Sequence, residues 1–265
     1  MRGLVLACAL ALPAFVAAAP LPPVDRVGFA PPRGASLPAD ASFADEHGRP
    51  VRLGDLVSAR PAIVVPAYYG CSNLCTLVLR GVAAGLAAAK LRAGRDVDVV
   101  AVSIDPHETP ALALQKKRAL LGTHDAAGWH FLTGQAAGIE RVTRALGYRY
   151  AYVAQEHQYA HASGVAIVAP HGRVVRVLYG VAFSPADLRA ALALARGDPG
   201  PPGAIPVQAS AASTWLLCFH YDPRTGRYTF AAMNAVRVAG LLALVALVAY
   251  ALRALRRERR ARTTR

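Results

Sequence analysis

The sequence predicts an α/β domain, a sheet covered by helices on both faces, followed by a C-terminal membrane-spanning helix. Apolar, β-branched runs alternate with alanine- and leucine-rich stretches of helical length, which is the pattern of a sheet buried under helices. The series closes on two short apolar runs joined by Pro170-His171-Gly172-Arg173, then a capped helix. The span is predicted by Val238 to Leu252, which carries no charge, and by the seven arginines against one glutamate in residues 253–265.

Taken in order, residues 1–19 read as a secretory signal peptide: Arg2, an apolar run from Gly3 to Val16, then Ala17-Ala18-Ala19 for cleavage. Residues 20–37, rich in proline and alanine, are expected to form an extended tether. The folded domain is expected over 38–196. Ser42 to Leu53 holds a short strand and turn, and Pro61 to Tyr68 is a central strand by its length and β-branched content. Cys75 to Leu91 is helical, and Asp96 to Ser103 is a second strand. Thr109 with Pro110 starts a helix that runs through Leu121 and stops near Gly122. Trp129 to Leu132 is a short strand, Ile139 to Leu146 an amphipathic helix closed by Gly147, and Tyr148 to Val153 another strand. Val165–Val168 and Val174–Tyr179 form a hairpin, and Ser184-Pro185-Ala186-Asp187 caps a last helix ending at Ala195.

Residues 197–229 are a linker and juxtamembrane segment. The uncharged run alone is shorter than the roughly 20 residues a bilayer requires, so the span is read as 230–252. The basic tail, 253–265, stays cytoplasmic by the positive-inside rule. That places the protein in the inner membrane with its domain on the periplasmic side.

Of the net charge of +14, the tail and Arg2 account for half, leaving +7 on the exported body. Such a surface suits anionic headgroups or an acidic partner; a nucleic-acid reader needs a clustered basic face with interleaved aromatics. Once the leader is removed, Cys71, Cys75 and Cys218 remain. An odd number leaves at least one sulfur unpaired, metal-bound or bridged to another chain.

Cys71 and Cys75 follow a strand and Gly70 at the start of a helix. Residues four apart share a helix face, and a helix N-terminus favours the thiolate. The pair is therefore suited to a reversible disulfide or a soft metal. An inert structural bridge would close too small a loop to stabilise much.

The order of strand, cysteine pair, βα unit, hairpin and helix resembles the thioredoxin fold. Three blocks narrow the resemblance: Cys71-x3-Cys75 after Tyr68-Tyr69-Gly70; Val102-Ser103-Ile104-Asp105-Pro106-His107-Glu108-Thr109-Pro110; and His161 before a strand with Gly172-Arg173-Val174 beyond it. On these the exported body resembles the Sco/SenC family. The resemblance implies a thioredoxin-like fold in which Cys71, Cys75 and His161 bind copper. It also implies a metallochaperone that delivers copper to, or prepares, the binuclear copper centre of cytochrome c oxidase. The implied partner is that oxidase's copper-centre subunit or another copper chaperone. Thiolates suit Cu(I) and imidazole also suits Cu(II), and dithiol–disulfide cycling would gate metal uptake.

The chain departs from the family pattern at Ser72, where a proline is common, and in carrying its anchor C-terminally. It also has Ala160 where an aspartate is frequent, which leaves the imidazole's hydrogen-bond partner open. His157 competes with His161 as ligand. The same cysteines would also serve a thiol–disulfide oxidoreductase that keeps a partner's copper-site cysteines reduced. Against that stand the x3 spacing and the lack of proline from Ala111 to Ala169. A thiol peroxidase would need an arginine nearer than Arg80. Cys218 and His220 are either a second copper site or relay, or part of an aromatic interfacial belt.

Overall fold

A computed structural model of the chain describes residues 27–71, 74–122, 126–154, 157–198, 221–222, 227–228, 238–245, 247–248 and 250. β2 (Ser42–Ala44) and β3 (Pro50–Arg52) pair antiparallel ahead of the central five-stranded sheet, which is built from β4 (Ala62–Ala67), β5 (Asp98–Ser103), β6 (Trp129–Leu132), β9 (Gly164–Val168) and β10 (Val174–Tyr179), in the order β10-β9-β4-β5-β6. β4, β5 and β6 are parallel; β9 and β10 form the expected antiparallel hairpin.

All six residues of β4 and of β5 are buried, because helices cover both sheet faces. Ile63, Val65 and Ala67 pack with Val78, Leu79 and Val82 of α2 (Leu74–Ala88) and Leu188 and Leu192 of α5 (Pro185–Arg196). Ala62 and Val64 face the other way, toward Leu53 of α1 (Leu53–Leu56) and Ile139 and Val142 of α4 (Ala136–Ala145). Pro66 is tolerated inside this central strand. The carbonyls of Pro61 and Ala67 accept from β5, so by alternation Pro66 faces the other edge, where pairing with β9 has ended at Val64.

The capping signals act as expected. The Thr109 side chain accepts from the Leu112 N–H at the start of α3 (Pro110–Leu121), and Gly122 at its end has φ 74°. The Ser184 side chain accepts from the Asp187 N–H. α2 runs so close to the turn before α5 that a Cβ on Gly81 would lie 2.0 Å from the Val181 carbonyl oxygen. Gly81→Ala is therefore expected to cost about 1–3 kcal/mol, read as a lower urea midpoint, and to displace the helix that carries Cys75.

The structure differs from the sequence reading in three places that matter for the site. First, residues 27–37, expected to be tether, pack onto the domain. β1 (Gly28–Phe29) pairs with β7 (Tyr148–Val153), Leu37 is buried, and the Leu37 N–H donates to the Gly172 carbonyl. Proline and alanine content hid this, because the anchoring groups are backbone amides and three isolated apolar side chains, Val27, Phe29 and Leu37. Second, Gln158–His161 is a strand, β8, antiparallel to β7, giving a separate three-stranded sheet β1-β7-β8. Third, α2 begins at Leu74, so Cys75 lies in its first turn while Cys71 precedes it. The two cysteines do not share one helix face.

Two short strands, β11 (Tyr221–Asp222) and β12 (Arg227–Tyr228), pair antiparallel beyond the domain. Of the expected span, the described residues from Val238 to Tyr250 are helical, and Leu241, Leu242 and Val245 among them are exposed. Among the described residues no helix is long and apolar enough to cross a membrane. The signal peptide, Cys218, His220 and the basic tail lie outside the described residues.

Candidate metal centre

His161 is the last residue of β8 and pairs with Tyr150 across the ladder. Its side chain is buried, and its Nε2 lies 2.9 Å from the Sγ of Cys75. Sulfur and imidazole, 86 residues apart in sequence, thus meet in the interior. Cys71 is buried beside Cys75, and Tyr68 packs against this cluster. Ser72 and Asn73, which link the cysteines, lie outside the described residues.

The other ring nitrogen answers the question left by Ala160. His161 Nδ1 lies 3.0 Å from the Ala162 carbonyl oxygen and 2.8 Å from the Tyr148 hydroxyl, which itself donates to that carbonyl at 2.9 Å. A carbonyl only accepts, so Nδ1 carries the proton. In the neutral imidazole the Nε2 lone pair then points at the Cys75 sulfur. Burial alone would lower the imidazole pKa, but contact with the Cys75 sulfur, the Ala162 carbonyl and the charge of Cys71 push it up to about 9.

Two groups that sequence reasoning did not single out support the cysteines from below. Glu108 Oε2 accepts from the Tyr69 N–H at 3.0 Å and the Ser103 hydroxyl at 2.6 Å, and Oε1 accepts from the Gly70 N–H at 2.5 Å. This ties the turn that presents Cys71 to the loop between β5 and α3. Burial raises the Glu108 pKa, and the three hydrogen bonds oppose that rise. On α3, Lys116 Nζ donates to the Cys71 carbonyl at 3.0 Å and to Thr76 Oγ1 at 3.1 Å. Burial lowers the Lys116 pKa, while the sulfurs of Cys75 and Cys71 hold it up. A cation placed here favours thiolates in turn.

The donor set fits a soft cation: two thiols and an oriented imidazole, with the nearby Glu108 carboxylate committed to two backbone N–H groups and the Ser103 hydroxyl. The fit is incomplete in one respect. Among the described residues no three His, Cys, Asp or Glu side chains already converge as a metal-holding cluster. Cys75 and His161 are in contact, and Cys71 is buried in one cluster with Cys75. His157 is not part of this arrangement. It is exposed, adopts φ 49°, and its Nδ1 faces the Tyr152 hydroxyl at 3.5 Å. His107 is likewise exposed and pairs with Asp105 at 2.8 Å.

The sequence profile described as SCO1/SenC matches residues 31–195, more than half of the chain. The chain belongs to the SCO1/SenC family. No curated protein matches it. Among solved structures, one from Aquifex aeolicus VF5 is 22% identical, covers 62% of this chain and 95% of its own, and superposes with a TM-score of 0.58. A second from the same organism is also 22% identical, covering 62% and 99%, with a TM-score of 0.54. Arabidopsis thaliana ScoI, solved with copper bound, is 20% identical, covering 55% and 87%, with a TM-score of 0.46. The family match and the mixed α/β sheet together bear out the thioredoxin-like fold expected from the order of elements.

Proposed function

We propose that this chain is a membrane-anchored copper metallochaperone that holds copper through Cys71, Cys75 and His161. Its cargo would go to the binuclear copper centre of cytochrome c oxidase. The single observation that carries the reading is the 2.9 Å approach of His161 Nε2 to Cys75 Sγ, with Nδ1 held on the far side by Tyr148 and Ala162. Membership of the family supports copper as the ion, and the softness of the donors supports it independently. Release would proceed by exchange of these ligands for the thiols of the oxidase's copper-centre subunit or of another copper chaperone. The exposed apolar helix within 238–250 and the arginine block after it support a C-terminal anchor, with the domain on the periplasmic side and the tail in the cytoplasm.

The deciding measurement is copper stoichiometry and spectroscopy on the reduced protein, where one equivalent bound through sulfur and nitrogen is expected. Binding of no copper, alongside fast thiol–disulfide exchange, would transfer the assignment to a reductase of a partner's copper-site cysteines. Tyr148→Phe is expected to weaken Cu(I) affinity by about 10–100-fold, the usual cost of removing a group that orients a ligating histidine. The ring still fills its place against Phe29, 5.0 Å away, so the fold should persist. Competition against a chromophoric Cu(I) chelator measures the loss.

A further inference from the structure

The metal reading leaves a row of phenols unused. The Tyr159 ring on β8 lies 5.1 Å from Tyr152 and 5.6 Å from Tyr150, both on β7, and 5.3 Å from Tyr68 in the loop after β4. Tyr68 packs against the cluster of Cys71 and Cys75. A second branch runs from Tyr150 to Tyr148 at 6.0 Å and on to the His161 ring at 6.3 Å. Tyr152 is 53% exposed, whereas the two sulfurs are 4% and 3% exposed. Cross-strand aromatic pairing stabilises a small sheet and explains rings at 150, 152 and 159. Tyr68, on a different element, packs against the same core as Tyr150 and Tyr159 and carries the row on to the cysteine cluster.

We propose that Tyr152, Tyr159 and Tyr68 form a one-electron relay between the surface and the buried thiols, through which a high-potential outer-sphere oxidant converts Cys71 and Cys75 to their disulfide without touching sulfur. The oxidant removes one electron from Tyr152, whose phenolic proton passes to His157 Nδ1, 3.5 Å away, or to water. An electron from the Cys75 sulfur, passed through Tyr68 and Tyr159, refills Tyr152, which regains its proton. The Cys75 thiol releases its proton as its electron leaves, the resulting thiyl bonds to the Cys71 sulfur as that thiol releases its proton in turn, and a second oxidant takes the extra electron from the disulfide radical anion so formed. In sum, two thiols and two oxidants give one disulfide, two reduced oxidants and two protons released to solvent. The relay would couple a one-electron carrier to a two-electron dithiol. It depends on the thiols alone and not on copper, so its failure leaves the metallochaperone reading standing.

The test uses the reduced, metal-free full chain with photogenerated tris(bipyridine)ruthenium(III), and counts Cys71–Cys75 disulfide per flash by mass spectrometry. Diamide, a small two-electron oxidant, is run in parallel; the cavity of about 220 Å³ lined by Cys71, Leu112 and Lys116 gives it a route to sulfur. Tyr159→Phe is expected to cut the ruthenium yield severalfold and leave the diamide rate at the parent value. Tyr152→Phe, at a half-exposed ring with little folding risk, should do the same. Tyr179→Phe should keep the parent yield, because its ring reaches the row only through Phe29, which is not redox-active. Parent-like ruthenium yields in both Tyr159→Phe and Tyr152→Phe overturn the relay. So does a loss that diamide oxidation shares, since that marks a damaged site.

Discussion

Cys75→Ala is expected to lower the Cu(I) affinity of the reduced protein by at least about 100-fold, the upper end of what loss of even an outer-sphere partner costs. Cys75 is the residue in contact with the imidazole, so its removal takes away a thiolate and also the sulfur that Nε2 faces at 2.9 Å. His161→Ala should do comparable damage by another route: it leaves two thiols, a set that still suits Cu(I) but has no nitrogen to hold Cu(II). The Cu(II) spectrum should therefore suffer more than the Cu(I) affinity in that variant. Cys71→Ala tests whether its sulfur is a ligand as well. His157→Ala should match the parent in both, since its ring is exposed and faces Tyr152 rather than sulfur. Chelator competition on the four variants checks all of this. Parent-like copper binding in His161→Ala, with fast disulfide exchange preserved, would replace the metallochaperone with the thiol–disulfide reductase.

What was legible in the sequence follows from what kind of force placed each element. β4, β5, the β9–β10 hairpin and the helices capped by Thr109 and Ser184 declare themselves through burial period and capping chemistry, both local properties. The Cys71–Cys75 pair was legible for the same reason, and His161 through family resemblance. The β1-β7-β8 sheet was not, because a two-residue strand at Gly28–Phe29 has no periodicity to read and β8 mixes glutamine, tyrosine, alanine and histidine. Tyr148 and Glu108 were missed as site residues for a related reason. Each acts on a group far along the chain: Tyr148 on an imidazole 13 residues away, Glu108 on an amide 39 residues away. Only the paired strands, and the packing of the α3 entry loop against the cysteine turn, bring them there. A tyrosine opening a strand and a glutamate before a helix look ordinary until the register is known.

Glu108→Ala is expected to cost about 1–3 kcal/mol, because it strands the buried Tyr69 N–H, whereas the Ser103 hydroxyl keeps the Asp105 carbonyl, 3.0 Å away, as its acceptor. The Gly70 N–H, at an exposed residue, recovers water and adds little. The same substitution frees the turn before Cys71, so Cu(I) affinity should fall by about 10–100-fold, as for other groups that hold a ligand in place. Glu108→Gln separates hydrogen bonding from charge. With its carboxamide oxygen in the Oε2 position it still accepts from the Tyr69 N–H and the Ser103 hydroxyl, and the N–H of exposed Gly70 is the donor that loses its acceptor to the NH2 group. The sign of the pH effect follows from burial, which raises the carboxyl pKa above 4.5. A raised acid favours the folded state while protonated, and that gain is lost as pH rises through the shifted value. Relative to Glu108→Gln, the parent should therefore lose stability across the window that begins near 4.5 and ends above the shifted value, then run parallel to it. Urea unfolding at a series of pH values measures both effects. If Glu108→Ala proves as stable as Glu108→Gln and binds copper as tightly, the carboxylate does not hold the cysteine turn. The rigidity of that turn would then have to come from Lys116 and the Cys71 N–H bond to the Tyr68 carbonyl at 3.1 Å.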